Sequence, residues 1–145
     1  MSKLLLLAML FGAGALASCQ PLVNARLATK IGLVESSFVS FLVGTIFLLV
    51  MTLFFGRGSL ANITQASWWQ LTGGLMGAFF VFTVILVVPQ MGTGTVMAAT
   101  IAAQLLAALL LDHFQIFGFR HIPINLSRIM GAVLMLTGTW LIIRN

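Results

Sequence analysis

Charged residues divide this sequence into apolar stretches that are each about as long as a membrane is thick. Among 145 residues there are only seven Lys and Arg and two acids, and most stand singly. A membrane-spanning helix needs roughly 20 mainly apolar residues. The intervals from Lys3 to Arg26 and from Glu35 to Arg57 have this length. A soluble fold would need far more charge to cover its surface, so the sequence predicts an all-α integral membrane protein.

The middle of the chain contains a longer stretch without charge, residues 58–111. It is too long for one spanning helix and about right for two. Pro89 and the glycines at positions 92 and 94 predict the break between them. Arg128 then falls in the first turn of the last span, where a long cationic side chain can reach the headgroups. The sequence thus predicts one domain of five transmembrane helices, over residues 4–25, 36–56, 68–88, 95–111 and 126–143, with a loop over residues 112–125.

The end of the first apolar stretch has a second interpretation. Leu16, Ala17, Ser18 and Cys19 resemble a lipoprotein cleavage box after a signal peptide. Apolar character continues beyond them, so we favour a first span that is retained.

Several function classes are disfavoured by the rarity of reactive and charged side chains. A single cysteine excludes an intrachain disulfide and a cysteine-based metal site. The spacing of Asp112, His113 and His121 fits no metal-ligand motif, so no metal or cofactor is expected. The Lys and Arg residues are scattered singly and do not form the basic patch that is typical of a nucleic-acid binding surface. Paired intramembrane acids, or a nucleophile beside a base, are also missing from the sequence, which argues against an enzyme.

Orientation in the membrane is nearly undecided by the positive charges. A five-span topology places four on one side and three on the other: Lys3, Arg57, Arg120 and Arg128 against Arg26, Lys30 and Arg144. Orientation normally follows an excess of Lys and Arg in the cytoplasmic loops. Either another feature fixes one orientation, or the chain inserts both ways and pairs with its own inverted copy. We favour this antiparallel homodimer of ten helices, an architecture that other transporters obtain from inverted repeats.

Six short motifs, spread over nearly the whole chain, resemble a known family. They are Gln20-Pro-Leu-Val-Asn-Ala-Arg-Leu, Ser40-Phe-Leu-Val-Gly-Thr, Gly73-Gly-Leu-Met-Gly-Ala-Phe-Phe, Ala103-Gln-Leu-Leu, Leu111-Asp-His-Phe and Gly131-Ala-Val-Leu-Met-Leu-Thr-Gly. Together they are similar to the YdcZ-type inner-membrane exporters, domain of unknown function 606, in the drug/metabolite transporter superfamily.

That resemblance implies a five-span transporter in the bacterial inner (cytoplasmic) membrane. Members of the family occur as single dual-topology chains, as oppositely oriented pairs or as fused repeats. The resemblance names no substrate. Glu35 departs from the family pattern, where the position is usually small or uncharged, so a proton-coupling role for it is in doubt.

Three amides in otherwise apolar spans are the main polar features. Gln20 and Asn24 are four residues apart and share a helix face, while Pro21 between them removes a backbone donor and is expected to kink the helix. Gln104 follows Thr100 by one turn in the fourth span. We predict that these amides, with Thr100 and Ser40, line a polar crevice near the middle of the membrane, since unpaired amides are costly in hydrocarbon. The alternative is that the amides only hold helices together.

The remaining residues of interest suit structural roles. Glu35 and Asp112 lie at span ends, where an interfacial role is the simpler interpretation. Gly73 and Gly77 form a small-xxx-small pair, and with Gly44 they predict surfaces for helix packing.

The features together favour a small exporter of a polar or cationic organic solute, working as an inverted homodimer by alternating access. The expected partners are its own inverted copy, the bilayer and the solute. The alternative function is an accessory or scaffolding membrane protein that transports nothing.

Overall fold

A computed structural model describes residues 2–118 and 121–144 of the chain. Within these residues there are five α-helices and no strand, as predicted: α1 (Lys3–Ile31), α2 (Leu33–Phe55), α3 (Gly73–Met91), α4 (Thr93–His113) and α5 (Leu126–Arg144). Short 3₁₀ helices cover Leu60–Gln65, Trp68–Leu71 and Ile116–Gly118. With the 3₁₀ turn at Trp68 added to α3, all five segments are long and apolar enough to cross a membrane.

The bounds differ from the predicted spans mainly at α1, which has 29 residues and continues to Ile31. Arg26 and Lys30 therefore lie in its last two turns rather than beyond its end. At about 1.5 Å per residue the helix exceeds the thickness of the hydrocarbon core, which allows both cations to sit at headgroup depth. The predicted loop over residues 112–125 is also shorter, because α4 includes Asp112 and His113.

Two glycines make the shortest connections between helices. Gly32 alone joins α1 to α2 with φ of 102°, and Gly92 alone joins α3 to α4 with φ of 79°. Both values lie in the left-handed region that favours glycine over other residues. At Gly32 a Cβ would also run into the Glu35 carboxylate, which folds back over this joint. The predicted break between the third and fourth spans thus falls at Gly92.

The chain forms two compact units, Met1–Gln90 and Met91–Asn145, which are described separately. In the first unit α1 and α2 form a hairpin. Gln20 of α1 bonds to Ser40 of α2, and Asn24, one turn later on α1, bonds to both Ser40 and Ser36, which is one turn earlier on α2. The two helices therefore run antiparallel. Organisation as a single domain stays a prediction.

The second unit is a hairpin of α4 and α5. Ala102 and Ala132 are buried, and Thr139 donates a hydrogen bond to the backbone carbonyl of Ala98 at 3.2 Å. A hydroxyl can reach a carbonyl on the neighbouring helix because small residues at the contact let the two backbones approach closely. This packing is typical of helices that associate in lipid.

The outer surface of the described helices is apolar. Leu4, Phe11 and Phe54 each expose more than three quarters of their area, whereas buried large apolar side chains are few. In water a surface of this kind would drive aggregation. Facing lipid it needs no cover, since acyl chains are as apolar as the side chains. The outer surface of these helices is therefore suited to contact with lipid and not with water.

Candidate functional site

A polar cluster links α1 to α2 in the first unit, and its centre is the hydroxyl of Ser40. Asn24 Nδ2 donates to Ser40 Oγ at 3.0 Å, and Gln20 Nε2 donates to the same oxygen at 3.4 Å. One hydroxyl can accept both, because its oxygen carries two lone pairs. Three of the five residues predicted to line the crevice are therefore adjacent in the structure.

Ser36 belongs to the same cluster and was missed by the sequence analysis. It is fully buried, and its hydroxyl donates to the backbone carbonyl of Asn24 at 2.7 Å. The signal was present in the sequence, because Ser36 precedes Ser40 by four residues and so shares its helix face. Asn24 is thus held by α2 through both its side chain and its backbone, and only 6% of it is exposed.

A small cleft opens beside the amides, between α1 and α3. Its volume is about 30 Å³, and its lining residues come from both helices: Ala17, Gln20, Pro21 and Asn24 of α1, and Phe80, Val81, Val84 and Ile85 of α3. Most of the lining surface is apolar, and the α1 side also carries the two amides. Pro21 is buried here, and it has no N–H to donate to the carbonyl of Ala17. The cleft combines two hydrogen-bonding side chains with an apolar surface, as solute sites commonly do.

The other two predicted crevice residues lie in the second unit. Thr100 Oγ1 donates to the Met97 carbonyl of its own helix at 3.0 Å, a bond that a threonine makes without any partner helix. Gln104 lies one turn further along α4 and is exposed. Whether these two residues share a crevice with Gln20 and Asn24 stays a prediction.

The predicted packing glycines have different surroundings. A Cβ at Gly77 would lie 3.4 Å from the ring of Phe41 on α2. Around Gly44 and Gly73, by contrast, no other atom of the described residues lies within 4 Å of such a Cβ, apart from the adjacent residues and the backbone of the same helix. Gly77 therefore lies at a contact between α2 and α3. The role of the other two glycines in packing stays a prediction.

The two acids lie outside the cluster. Glu35 is in the first turn of α2, where the helix dipole favours a negative charge. Asp112 forms an ion pair with Arg128 at 3.1 Å. Arg128 was expected to reach the lipid headgroups, and in the structure it contacts a carboxylate. Among the described residues no group of His, Cys, Asp and Glu has an arrangement that could hold a metal ion.

Comparison with known proteins decides the family. A family model described as "Putative inner membrane exporter, YdcZ" matches residues 5–141. The chain belongs to this family. It is also 33% identical over 150 residues to the "Inner membrane protein YdcZ" of Escherichia coli (strain K12), an alignment that covers 99% of the chain and 98% of that protein. No solved structure matches the chain.

Membership of the YdcZ family confirms the resemblance found in the sequence motifs. With five apolar helices, the chain is a multi-pass inner membrane protein and a membrane transporter. The family is described as an exporter, and exporters are a class of transporter rather than a class of enzyme.

Proposed function

We propose that the chain exports a small polar or cationic organic solute across the inner membrane, and that it works as an inverted homodimer by alternating access. The observation that carries this proposal is the cleft beside Gln20 and Asn24 in the first unit. Two of its lining residues, Gln20 and Asn24, are neutral amides, which select solutes by hydrogen bonds rather than by opposite charge. Amide atoms inside an apolar span are costly unless a partner or a solute binds them.

The size of the cleft supports an alternating mechanism. A volume of about 30 Å³ holds roughly two water molecules, whereas organic ligands occupy pockets of several hundred Å³. The described conformation is therefore closed to an organic solute. Transport then requires a second conformation in which α1 and α3 separate beside the two amides, as gated transporters do around a central site.

The balance of positive charge supports the inverted homodimer. Four positive charges against three leave little to favour either orientation during insertion. A chain inserted both ways would meet its inverted copy and form ten helices around a two-fold axis in the membrane plane. The same axis would bring two copies of the Ser40 cluster towards each other near the middle of the membrane.

The test is transport by purified protein in liposomes, with a panel of radiolabelled polar and cationic solutes and with or without a proton gradient. We expect uptake of at least one solute that Gln20→Leu reduces without changing the amount of assembled protein. No uptake of any solute, together with normal assembly of wild type, would contradict the proposal.

One observation favours the alternative function of an accessory or scaffolding protein. Gln20, Asn24 and Ser40 bond α1 to α2, which is what amides that only join helices would do. In that case Gln20→Leu should weaken the hairpin and reduce assembly. The liposome experiment separates the two functions because it measures assembly and transport on the same samples.

A further inference from the structure

Two basic residues near the end of α1 lie on one face of the helix. Arg26 and Lys30 are four residues apart, which places their Cβ atoms about 6 Å from each other. Neither side chain forms a hydrogen bond or an ion pair with any described residue. No other two Lys or Arg residues of the sequence stand within one helical turn of each other. Like charges at this spacing repel, so an anion that binds both side chains would stabilise them.

The two acidic side chains of the chain bind elsewhere. Asp112 is paired with Arg128 in the second unit. The Glu35 carboxylate folds back over Gly32 at the start of α2, and it forms no ion pair with a described residue. Both cations of α1 are therefore available to an anion from the surroundings.

An open groove runs along the same face of α1. Its volume is about 500 Å³, and its lining residues are Leu22, Val23, Arg26, Leu27 and Lys30, all of this one helix. From the first to the last they extend about 12 Å along the helix axis. Leu22 and Val23 are more than half exposed and stand towards the middle of the helix, whereas the two cations stand towards its end. The groove therefore has an apolar part and a positively charged part.

The depth of the groove in the membrane restricts its occupant. Because α1 is longer than the hydrocarbon core is thick, Arg26 and Lys30 can lie at headgroup depth while Leu22 and Val23 lie among the acyl chains. A phospholipid of net negative charge has its anionic and apolar parts at these same two depths. Its phosphate would accept hydrogen bonds from the Arg26 guanidinium, whose planar donors match phosphate oxygens, and would attract the Lys30 ammonium.

We propose that this groove binds a phospholipid with an anionic headgroup. The phosphate lies at Arg26 and Lys30, and one acyl chain lies along Leu22 and Val23. A zwitterionic phospholipid binds more weakly, because its own cationic group is repelled by the two basic side chains. The groove shares no residue with the cleft beside Gln20, so the lipid site is independent of the proposed export function.

The test measures lipid binding on the purified full-length protein in mild detergent, where orientation in a bilayer plays no part. Native mass spectrometry would compare phosphatidylglycerol with phosphatidylcholine of identical acyl chains. We expect phosphatidylglycerol to bind about tenfold more tightly at low salt, and this preference to shrink at high salt. Inorganic phosphate at the concentration of the lipid should not displace phosphatidylglycerol, because it has no acyl chain. Equal binding of the two lipids, or displacement by phosphate, would overturn the proposal.

Variants locate the site. Arg26→Gln combined with Lys30→Gln should abolish the preference for phosphatidylglycerol. The matched control is Arg57→Gln combined with Arg144→Gln, which removes the same charge from the chain but leaves the groove intact. We expect this control to keep the preference. An equal loss in both double variants would show that lipid binding follows net charge, and would overturn the proposal.

Two milder changes keep the test decisive if the first double variant does not fold. Arg26→Lys combined with Lys30→Arg retains both charges and should retain the preference. Lys30→Gln alone should lower the preference about threefold, since one of the two cations remains. The Lys30 side chain is exposed and bonds to no described residue, so this substitution removes no contact within the protein. An unchanged preference in Lys30→Gln would overturn the proposal.

Discussion

Arg128 in the first turn of α5 donates a hydrogen bond to the carboxylate of Asp112 near the end of α4, at 3.1 Å. The same guanidinium donates to the carbonyl of Ile122 at 3.4 Å, and the Ile122 N–H donates to the Asp112 carbonyl at 3.1 Å. His113 Nδ1 also accepts from the N–H of Ile124. These bonds hold the segment before α5 against the end of α4.

The first prediction concerns this ion pair. The side chains of Arg128 and Asp112 are 27% and 38% exposed, so solvent and salt weaken their attraction. We expect Asp112→Asn to lower the free energy of unfolding by about 1 kcal/mol or less. Thermal unfolding in detergent at low and high salt measures the effect, which should shrink at high salt. The Glu35 carboxylate forms no ion pair among the described residues, so Glu35→Gln should lower the free energy of unfolding by less than Asp112→Asn does. A larger loss of stability in Glu35→Gln would contradict this prediction.

The second prediction concerns the buried hydroxyl of Ser36. Ser36→Ala removes its 2.7 Å bond to the Asn24 carbonyl and should destabilise the α1–α2 hairpin by about 1 kcal/mol. Ser37→Ala is the matched control, since the Ser37 hydroxyl donates to the Leu33 carbonyl within its own helix at 2.9 Å. Unfolding by denaturant gives both values. Equal effects of the two substitutions would show that the bond between helices adds no stability.

The third prediction concerns orientation. Ser59→Lys with Asn62→Lys makes the count six against three, whereas Thr29→Lys and Gln90→Lys combined with Arg57→Gln make it three against five. A C-terminal reporter that senses its compartment should show both orientations for wild type and opposite biases for the two variants. Each variant alone should lose transport, and co-expression should restore it. If more than about 95% of the wild-type protein has one orientation and this protein transports on its own, the inverted homodimer is contradicted.

The fourth prediction concerns access of water to the amides. In a Cys19→Ala background, Gln20→Cys and Gln104→Cys should react with a membrane-impermeant thiol reagent, because a crevice that passes a solute must also admit water. Leu49→Cys is the control, since Leu49 is half exposed in the middle of α2 among apolar side chains and should face lipid. Failure of both amide positions to react, combined with wild-type transport by Gln20→Leu and Gln104→Leu, would place the crevice elsewhere.

Much of the polar cluster could be anticipated from helix periodicity. The four-residue spacing of Gln20 and Asn24 puts them on one face of α1, and the same spacing relates Ser36 to Ser40 on α2. Periodicity does not say which face of one helix meets which face of another. The shared acceptor at Ser40, and the burial of the smaller Ser36, therefore emerged only from the packed hairpin.

What the sequence by itself determined is the number of membrane helices and the family, because both depend on local patterns. A bilayer requires an apolar run of about 20 residues whatever surrounds it, and charges mark where such a run ends. What only the tertiary structure decided is how each polar group is satisfied. Asp112 could have met lipid headgroups, water or a cation, and it pairs with Arg128 because the α4–α5 hairpin brings them together. Hydrogen bonds and ion pairs act over about 3 Å, a distance set by the packing of helices and not by separation along the chain.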